Sequence, residues 1–227
     1  MLYSEYLQKQ IIMHLLHEKQ ELQWLIEQNV RHADKIADFG CGGGKKTLAL
    51  MWALGASEAV GIDIEDITPA QSMLEGIRHE ITIIRSKLRS CRDIPEDDLT
   101  WWNGVPDFLK SLLQEERIKF RPGDITKPTG LRSDYYDIAF CHRVLHHIWF
   151  DQTQEDTQFA IREMARVAKP GGLVAASEVI QYSDKPNLDF RPLFEQAGLE
   201  RVHTKETEEN YSQGQRIVAE YLYKKQK

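Results

Sequence analysis

Three groups of residues have types and spacing suited to chemistry: glycines behind an acid, two more acids near strand-like runs, and a histidine cluster. Asp38 precedes glycines at 40, 42, 43 and 44 in the stretch KIADFGCGGGKKT. Glycine lacks a Cβ, so the chain can turn sharply there and bring bare backbone to a ligand. A helix starting at the same point adds unpaired N–H donors. Asp63 closes an apolar run that includes Ile62 and Ile64, 19 residues after Gly44. A carboxylate so placed can accept both hydroxyls of a ribose diol, although an acid there can equally be a helix cap or solvent-exposed. Asp124, within Pro122-Gly123-Asp124-Ile125, can accept from an adenine amino group while Ile125 packs on the ring; the same residues are also ordinary turn formers. His142, His146 and His147 follow an apolar run ending at Cys141. Histidine titrates near neutral pH, so His146 and His147 are the candidate general bases, and of two adjacent residues only one is expected to face a pocket. Packing or pocket-shaping roles fit these histidines equally well. His142 and His146, four apart, would share a helical face and invite a metal, but no carboxylates accompany them, so no metal site is expected.

The elements that must position these groups read as alternating strands and helices. A strand over 35–39, the glycine turn and a helix over 44–54 form the first unit, and 59–64 is the second strand. Thr68-Pro69-Ala70-Gln71 opens a helix, with a threonine cap and proline at the first helical position, that runs to about 90. The third strand is 118–121 and the fourth 137–141. A capped helix over 154–168 stops at Lys169-Pro170-Gly171-Gly172, and 173–179 is the fifth strand. A short helix over 190–197 precedes two alternating segments, 200–207 and 215–223, that can pair as a hairpin.

Two regions do not belong to this alternation. Residues 2–30 read as one long helix with an apolar stripe at Leu7, Ile11, Leu15, Leu22, Leu25 and Ile26. Such a stripe covers a sheet or pairs with another subunit; Tyr3 and Tyr6 could also roof a pocket. Residues 89–115 exceed what a crossover needs. Their start at the far end of a crossover helix makes them a packing or subunit-contact element, with a lid lined by Trp101 and Trp102 as the alternative. The expected organisation is an N-terminal helical cap over 1–34 and a ligand-binding domain over 35–227 carrying the 89–115 insertion. A homodimer through either added region is open.

Composition narrows the function further. The chain has 227 residues, 41% hydrophobic, enough for one α/β domain with additions. No stretch of 18 apolar residues suits a membrane span, and the N-terminus lacks a secretory pattern. Cysteines at 41, 91 and 141 are widely spaced, which fits a reducing, cytoplasmic setting. A net charge of −6 argues against nucleic acid as partner, and no membrane partner is expected.

The glycine spacing excludes two nucleotide motifs. A dinucleotide fingerprint needs a third glycine where Lys45 stands, and a P-loop needs a glycine before its lysine at that same position. What remains is DFGCGGG at 38–44, with GIDI at 61–64, GDI at 123–125, DIAFCHRVLHHI at 137–148 and EMARVAKPGGLV at 163–174. Together, over about 35–223, these resemble the class I S-adenosylmethionine (SAM)-dependent methyltransferases, in particular the branch acting on small molecules. The resemblance implies a doubly wound α/β fold: a seven-stranded, mostly parallel sheet, the last strand antiparallel, with helices on both faces. It implies SAM as cofactor, S-adenosylhomocysteine (SAH) as product and a small-molecule methyl acceptor. Asp38, Gly40 and Gly42 would frame the methionine part, Asp63 the ribose, and Ile64, Asp124 and Ile125 the adenine. Backbone around Cys141 and His142 would face the methionine amine or the sulfonium. The alternatives are a non-catalytic SAM-binding partner protein and, disfavoured by the glycine spacing, an NAD-type oxidoreductase.

Overall fold

The computed structural model describes residues 17–18, 21–64, 67–68, 70–72, 75, 117–182, 187–211 and 214–226. Tyr3 and Tyr6, most of the helix expected over 68–90, and the 89–115 insertion with Trp101 and Trp102 lie outside the described residues.

Seven strands form one sheet in the order β3-β2-β1-β4-β5-β7-β6. They are β1 (Lys35–Phe39), β2 (Glu58–Asp63), β3 (Ile118–Pro122), β4 (Tyr136–His142), β5 (Ala168–Tyr182), β6 (Leu199–Tyr211) and β7 (Gly214–Lys225). The pairings among β1 to β5 are parallel; β7 runs antiparallel to both neighbours, β5 and β6. The order reverses between β1 and β4, and ligands of such sheets bind outside the strands' C-terminal ends at that point. The glycine turn follows β1 and the histidines follow β4, so the topology brings both to one crevice.

The described helices are α1 (Gln23–Glu27), α2 (Lys45–Leu54), α3 (Leu145–Asp151), α4 (Gln154–Val167) and α5 (Arg191–Gln196). Side chains alternate across a strand with period two, and two apolar clusters result. Ile36, Ile138 and Phe140 meet Leu22 beside α1, Leu25 of α1, and Leu48 and Met51 of α2 on one face. Ala37, Phe39, Ala139 and Cys141 meet Leu145 of α3, Ile161 and Met164 of α4 and Phe194 of α5 on the other. By the same alternation Asp38 and His142 belong to the first face and Cys141 to the second.

Three features differ from the sequence reading. β5 starts at Ala168, but its register with β4 jumps from Tyr136↔Ala168 to Ile138↔Leu173, so the expected Lys-Pro-Gly-Gly turn persists as a looped-out stretch inside the strand. β6 and β7 run longer than expected, because the charged KETEEN segment of β6 hides a strand sustained by its pairing with β7. β4 extends to His142, and Arg143 adopts φ 58° before α3 begins. His142 and His146 therefore do not share a helical face.

Candidate functional site

The first wall of the site is the glycine turn. Gly40 and Cys41 donate their N–H groups to the Ile62 carbonyl at 2.7 and 3.0 Å, and Gly42 N–H donates to Asp63 Oδ2 at 2.7 Å. Asp63 thus braces the turn from the end of β2. Gly40 has φ 76°, and a Cβ on it would stand 2.3 Å from Val144 Cγ2; only glycine lets the loop after β4 come this close. Gly42, by contrast, opens to free space: a Cβ there would meet nothing within 4 Å. Asp38 lies buried beneath the turn and accepts a hydrogen bond from Thr47 Oγ1 at 2.6 Å. Burial, and to a lesser extent the Asp63 charge, push its carboxyl up to about 6, while the Thr47 hydrogen bond and Lys46 pull the other way.

The second wall is the turn after β4. Its backbone is held by Glu178 of β5, whose side chain is fully buried. Glu178 Oε1 accepts from Val144 N–H at 3.1 Å and from Cys141 Sγ at 3.6 Å. Oε2 accepts from His146 Nδ1 at 2.8 Å and from His146 N–H at 3.4 Å. Arg143 N–H donates to the Ser177 carbonyl at 2.8 Å, so the turn is tied to β5 at successive residues.

Between these walls lie two cavities that meet at Gly40. One, of about 400 Å³, is lined by Asp63, Ile64, Asp124, Ile125, Val144 and His147, among others. The other, of about 420 Å³, is lined by Asp38, Gly42, Lys46, Glu21, His142 and Arg143, among others. The first has the character of a nucleoside site. Ile64 is 66% exposed there, an apolar surface waiting for a flat ring, beside a carboxylate. The second carries charged side chains, among them Glu18, Glu21, Lys45, Lys46 and Arg143, beside the glycine backbone. Lys46 forms ion pairs with Glu18 and Glu21, which tie the N-terminal segment to the glycine turn. An elongated ligand with an adenosyl end and a charged end fits this pair of spaces.

The residues singled out from sequence distribute as follows. Asp38, Gly40, Gly42 and His142 line the charged cavity; Gly40, Asp63, Ile64, Asp124 and Ile125 line the nucleoside cavity. Asp124 is already engaged: Oδ1 accepts from Thr126 N–H and Oγ1, and Oδ2 pairs with Lys127 at 2.7 Å. The Lys127 and Thr126 contacts hold its carboxyl below the usual range. The Cys141 side chain points to the opposite face, where burial and Glu178 push its thiol far up and leave it protonated. His147 lines the nucleoside cavity. His146 lines neither cavity; it is 2% exposed and bound to Glu178, so its ring braces the turn. His142 presents Nε2 toward Glu21 Oε2 at 3.7 Å, too long for a hydrogen bond. Burial first, then the charges of Lys46, Arg143 and Arg216, hold its imidazole well below the usual range, hence neutral at pH 7. Among the described residues, no group of three His, Cys, Asp or Glu could hold a metal. Sequence reasoning missed Glu18, Glu21, Lys46, Val144 and Glu178. Only the acidic pair in HEKQE, opposite the GGGKKT lysines, carried a signal, that of complementary charge.

Comparison with known proteins agrees with this geometry. A methyltransferase-domain family model matches residues 102–176. An uncharacterized methyltransferase of Schizosaccharomyces pombe, C1B3.06c, is 28% identical over 153 residues, covering 66% of this chain and 41% of that protein. This chain thus spans about two fifths of that relative's length. Over these parts of its length the chain is similar to SAM-dependent methyltransferases. Solved structures with the same fold include the N-methyltransferase NodS from Bradyrhizobium japonicum WM9 in complex with SAH, with TM-score 0.59 and 12% identity, covering 92% of this chain and 87% of that one. Another is the [4+2]-cyclase SpnF, with TM-score 0.57 and 14% identity, covering 92% and 80%. For this chain, those two likenesses establish fold alone.

Two outcomes follow from the walls of the site. Because the folded-state carboxyl of Asp38 is raised above its ordinary value of 3.8, the native state holds the extra proton between about pH 4 and 6. Stability from this group therefore falls as pH rises through that window. Asp38→Asn should remove the loss and gain on the order of 3 kcal/mol relative to wild type between pH 4 and pH 7, read by urea unfolding at each pH. Glu178→Gln places an amide donor against N–H donors and should lower stability by about 1–3 kcal/mol, with increased hydrogen exchange confined to the 143–146 backbone.

Proposed function

We propose that this chain transfers a methyl group from SAM to an oxygen, nitrogen or carbon atom of a small molecule. The observation that carries the reading is the pair of cavities that share Gly40, one with exposed Ile64 beside Asp63 and the other lined by charged side chains. Asp63 is offered as the ribose acceptor, Ile64 and Ile125 as the adenine surface, Asp124 as the adenine-amine acceptor through its remaining lone pairs, and Asp38 with the Gly40 to Gly42 backbone as the methionine frame. SAM, when bound, supplies a methyl carbon already activated by positive sulfur. The chain's own work is to align the nucleophile and exclude water. Where the nucleophile arrives protonated, His142 is the proton acceptor that position favours: it lines the charged cavity, whereas His146 is spent on Glu178 and His147 lines the nucleoside cavity. Burial makes His142 a weak base, suited to a nucleophile that loses its proton as the methyl group transfers. The free, buried thiols of Cys41 and Cys141 support a reducing, cytoplasmic setting. The SpnF likeness is a reason to measure turnover as well as binding, since the same fold also occurs in a cyclase.

Calorimetry with SAH should show binding to the wild type. Asp63→Asn keeps an acceptor for Gly42 N–H but loses the charge, and should weaken SAH roughly ten- to hundredfold; equal affinity removes the ribose assignment. With methyl-labelled SAM and a panel of hydroxyl, amine and carbon acids, His142→Gln should lower kcat by about 10²- to 10⁴-fold while SAH affinity holds. A normal kcat in that variant, with a loss in His147→Ala instead, would return the proton-acceptor role to His147.

A further inference from the structure

The residue in the charged cavity that its own fold leaves least satisfied is Arg143. It is one of the few non-glycine residues with positive φ, at 58°, a conformation that costs energy unless the surroundings enforce it. The enforcement is the hydrogen bond from its N–H to Ser177 and the Glu178 bonds to the residues that follow. This fixes the direction of the side chain, which lines the charged cavity beside His142. Its guanidinium is poorly matched within the protein. Nε is buried with no hydrogen-bond partner among the described residues. Nη2 reaches Glu209 Oε2 only at 3.5 Å, and that same oxygen already accepts from Arg216 Nε at 2.9 Å and Nη2 at 2.6 Å. A buried donor without a partner is costly, and the guanidinium fork matches a carboxylate in shape and charge.

Position separates this group from the glycine turn. Glu209 is on β6 and Arg216 on β7, so the guanidinium reaches from the end of β4 toward the hairpin while its residue lines the cavity. The same cavity is lined by Glu18 and Glu21, both paired with Lys46, and Glu21 also feels the Arg143 charge. An anion entering this cavity is repelled by those carboxylates and drawn to Arg143.

We infer that Arg143 anchors a carboxylate of the methyl acceptor, so that the acceptor is a small carboxylate-bearing molecule held with its nucleophilic atom beside His142. This rests on the methyl-transfer reading and names its substrate class.

The test is calorimetry on the full chain, with and without saturating SAH, using acetate, glycolate and benzoate, each against its neutral amide. At least one carboxylate should bind roughly ten- to hundredfold more tightly than its amide, and Arg143→Gln should erase that difference. SAH affinity in the variant should stay within about threefold of wild type, well under one charge-assisted hydrogen bond. Arg143→Lys keeps the charge but not the fork and should recover only part of the preference; it also serves if the glutamine variant does not fold. Carboxylates and amides binding alike, or none binding, overturns the inference. So does an Arg143→Gln variant that loses SAH affinity but binds 5′-methylthioadenosine normally, because the guanidinium would then serve the donor's own carboxylate. Failure of the wild type to bind SAH sinks the methyl-transfer reading instead, a result separable from the carboxylate measurements made without it.

Discussion

The site depends on a carboxylate that never meets a ligand. Glu178 is buried between β4 and α3, where a charge is tolerated only if its lone pairs are filled. The Cys141 thiol, two backbone N–H groups and the His146 ring fill them. In doing so they fix where the chain goes after His142. Val144 is set down on Gly40, and the close approach that glycine permits joins the two walls of the crevice. Arg143 is forced into a left-handed conformation between them. A helix that began directly at the end of β4 would carry these residues away from the glycine turn.

The other wall is locked from β2. Asp63 donates nothing and accepts the Gly42 N–H, so the group offered as the ribose acceptor also shapes the loop beside it. The two walls differ in character because strand alternation sends their side chains to different faces. Cys141 goes to the second face with Glu178 and His146; Asp38 and His142 go to the first, where Glu21 and Lys46 wait. The basic side chains Lys46 and Arg143 thereby gather with Glu18 and Glu21 at one cavity, while Ile64 and Ile125 lie with Asp63 and Asp124 at the other. Lys46 is central to the charged side: it binds the N-terminal segment to the turn, and its field helps keep His142 neutral.

Much of the scaffold was legible in the sequence. β1 was read at 35–39 and runs Lys35–Phe39, because a short apolar run before glycine has few other readings in a sheet covered on both faces. The acids ending β2 and following β3 were legible for the same reason: position after a strand is a local property. What stayed hidden is non-local. Nothing within SEVIQ marks Glu178 as the brace of a turn more than thirty residues earlier. His142 was taken into a helix with His146 because spacing alone gave four, and only the extra residues of β4 put the two on opposite faces. The length of β6 was hidden because its charged residues look like loop until the pairing with β7 is known.

The division between legible and hidden follows the division of labour in the site. Holding an adenosyl group needs bare backbone and acids at strand ends, features that glycine and periodicity announce within a few residues. In the reading proposed above, choosing the acceptor falls to side chains gathered from distant parts of the chain: Glu21 before β1, His142 at the end of β4 and Arg143 after it, Glu209 and Arg216 from the final hairpin. The members of such a gathering reach in as side chains from β4, β6, β7 and the N-terminal segment, so they can vary while the backbone bonds of the glycine turn to Ile62 and Asp63 stay as they are. That freedom explains in physical terms how one fold is found both in the N-methyltransferase NodS and in the [4+2]-cyclase SpnF. The chemistry of this chain is therefore to be sought where its long-range contacts converge, at the polar cluster around His142 and Arg143, and the glycine turn fixes only what that cluster acts beside.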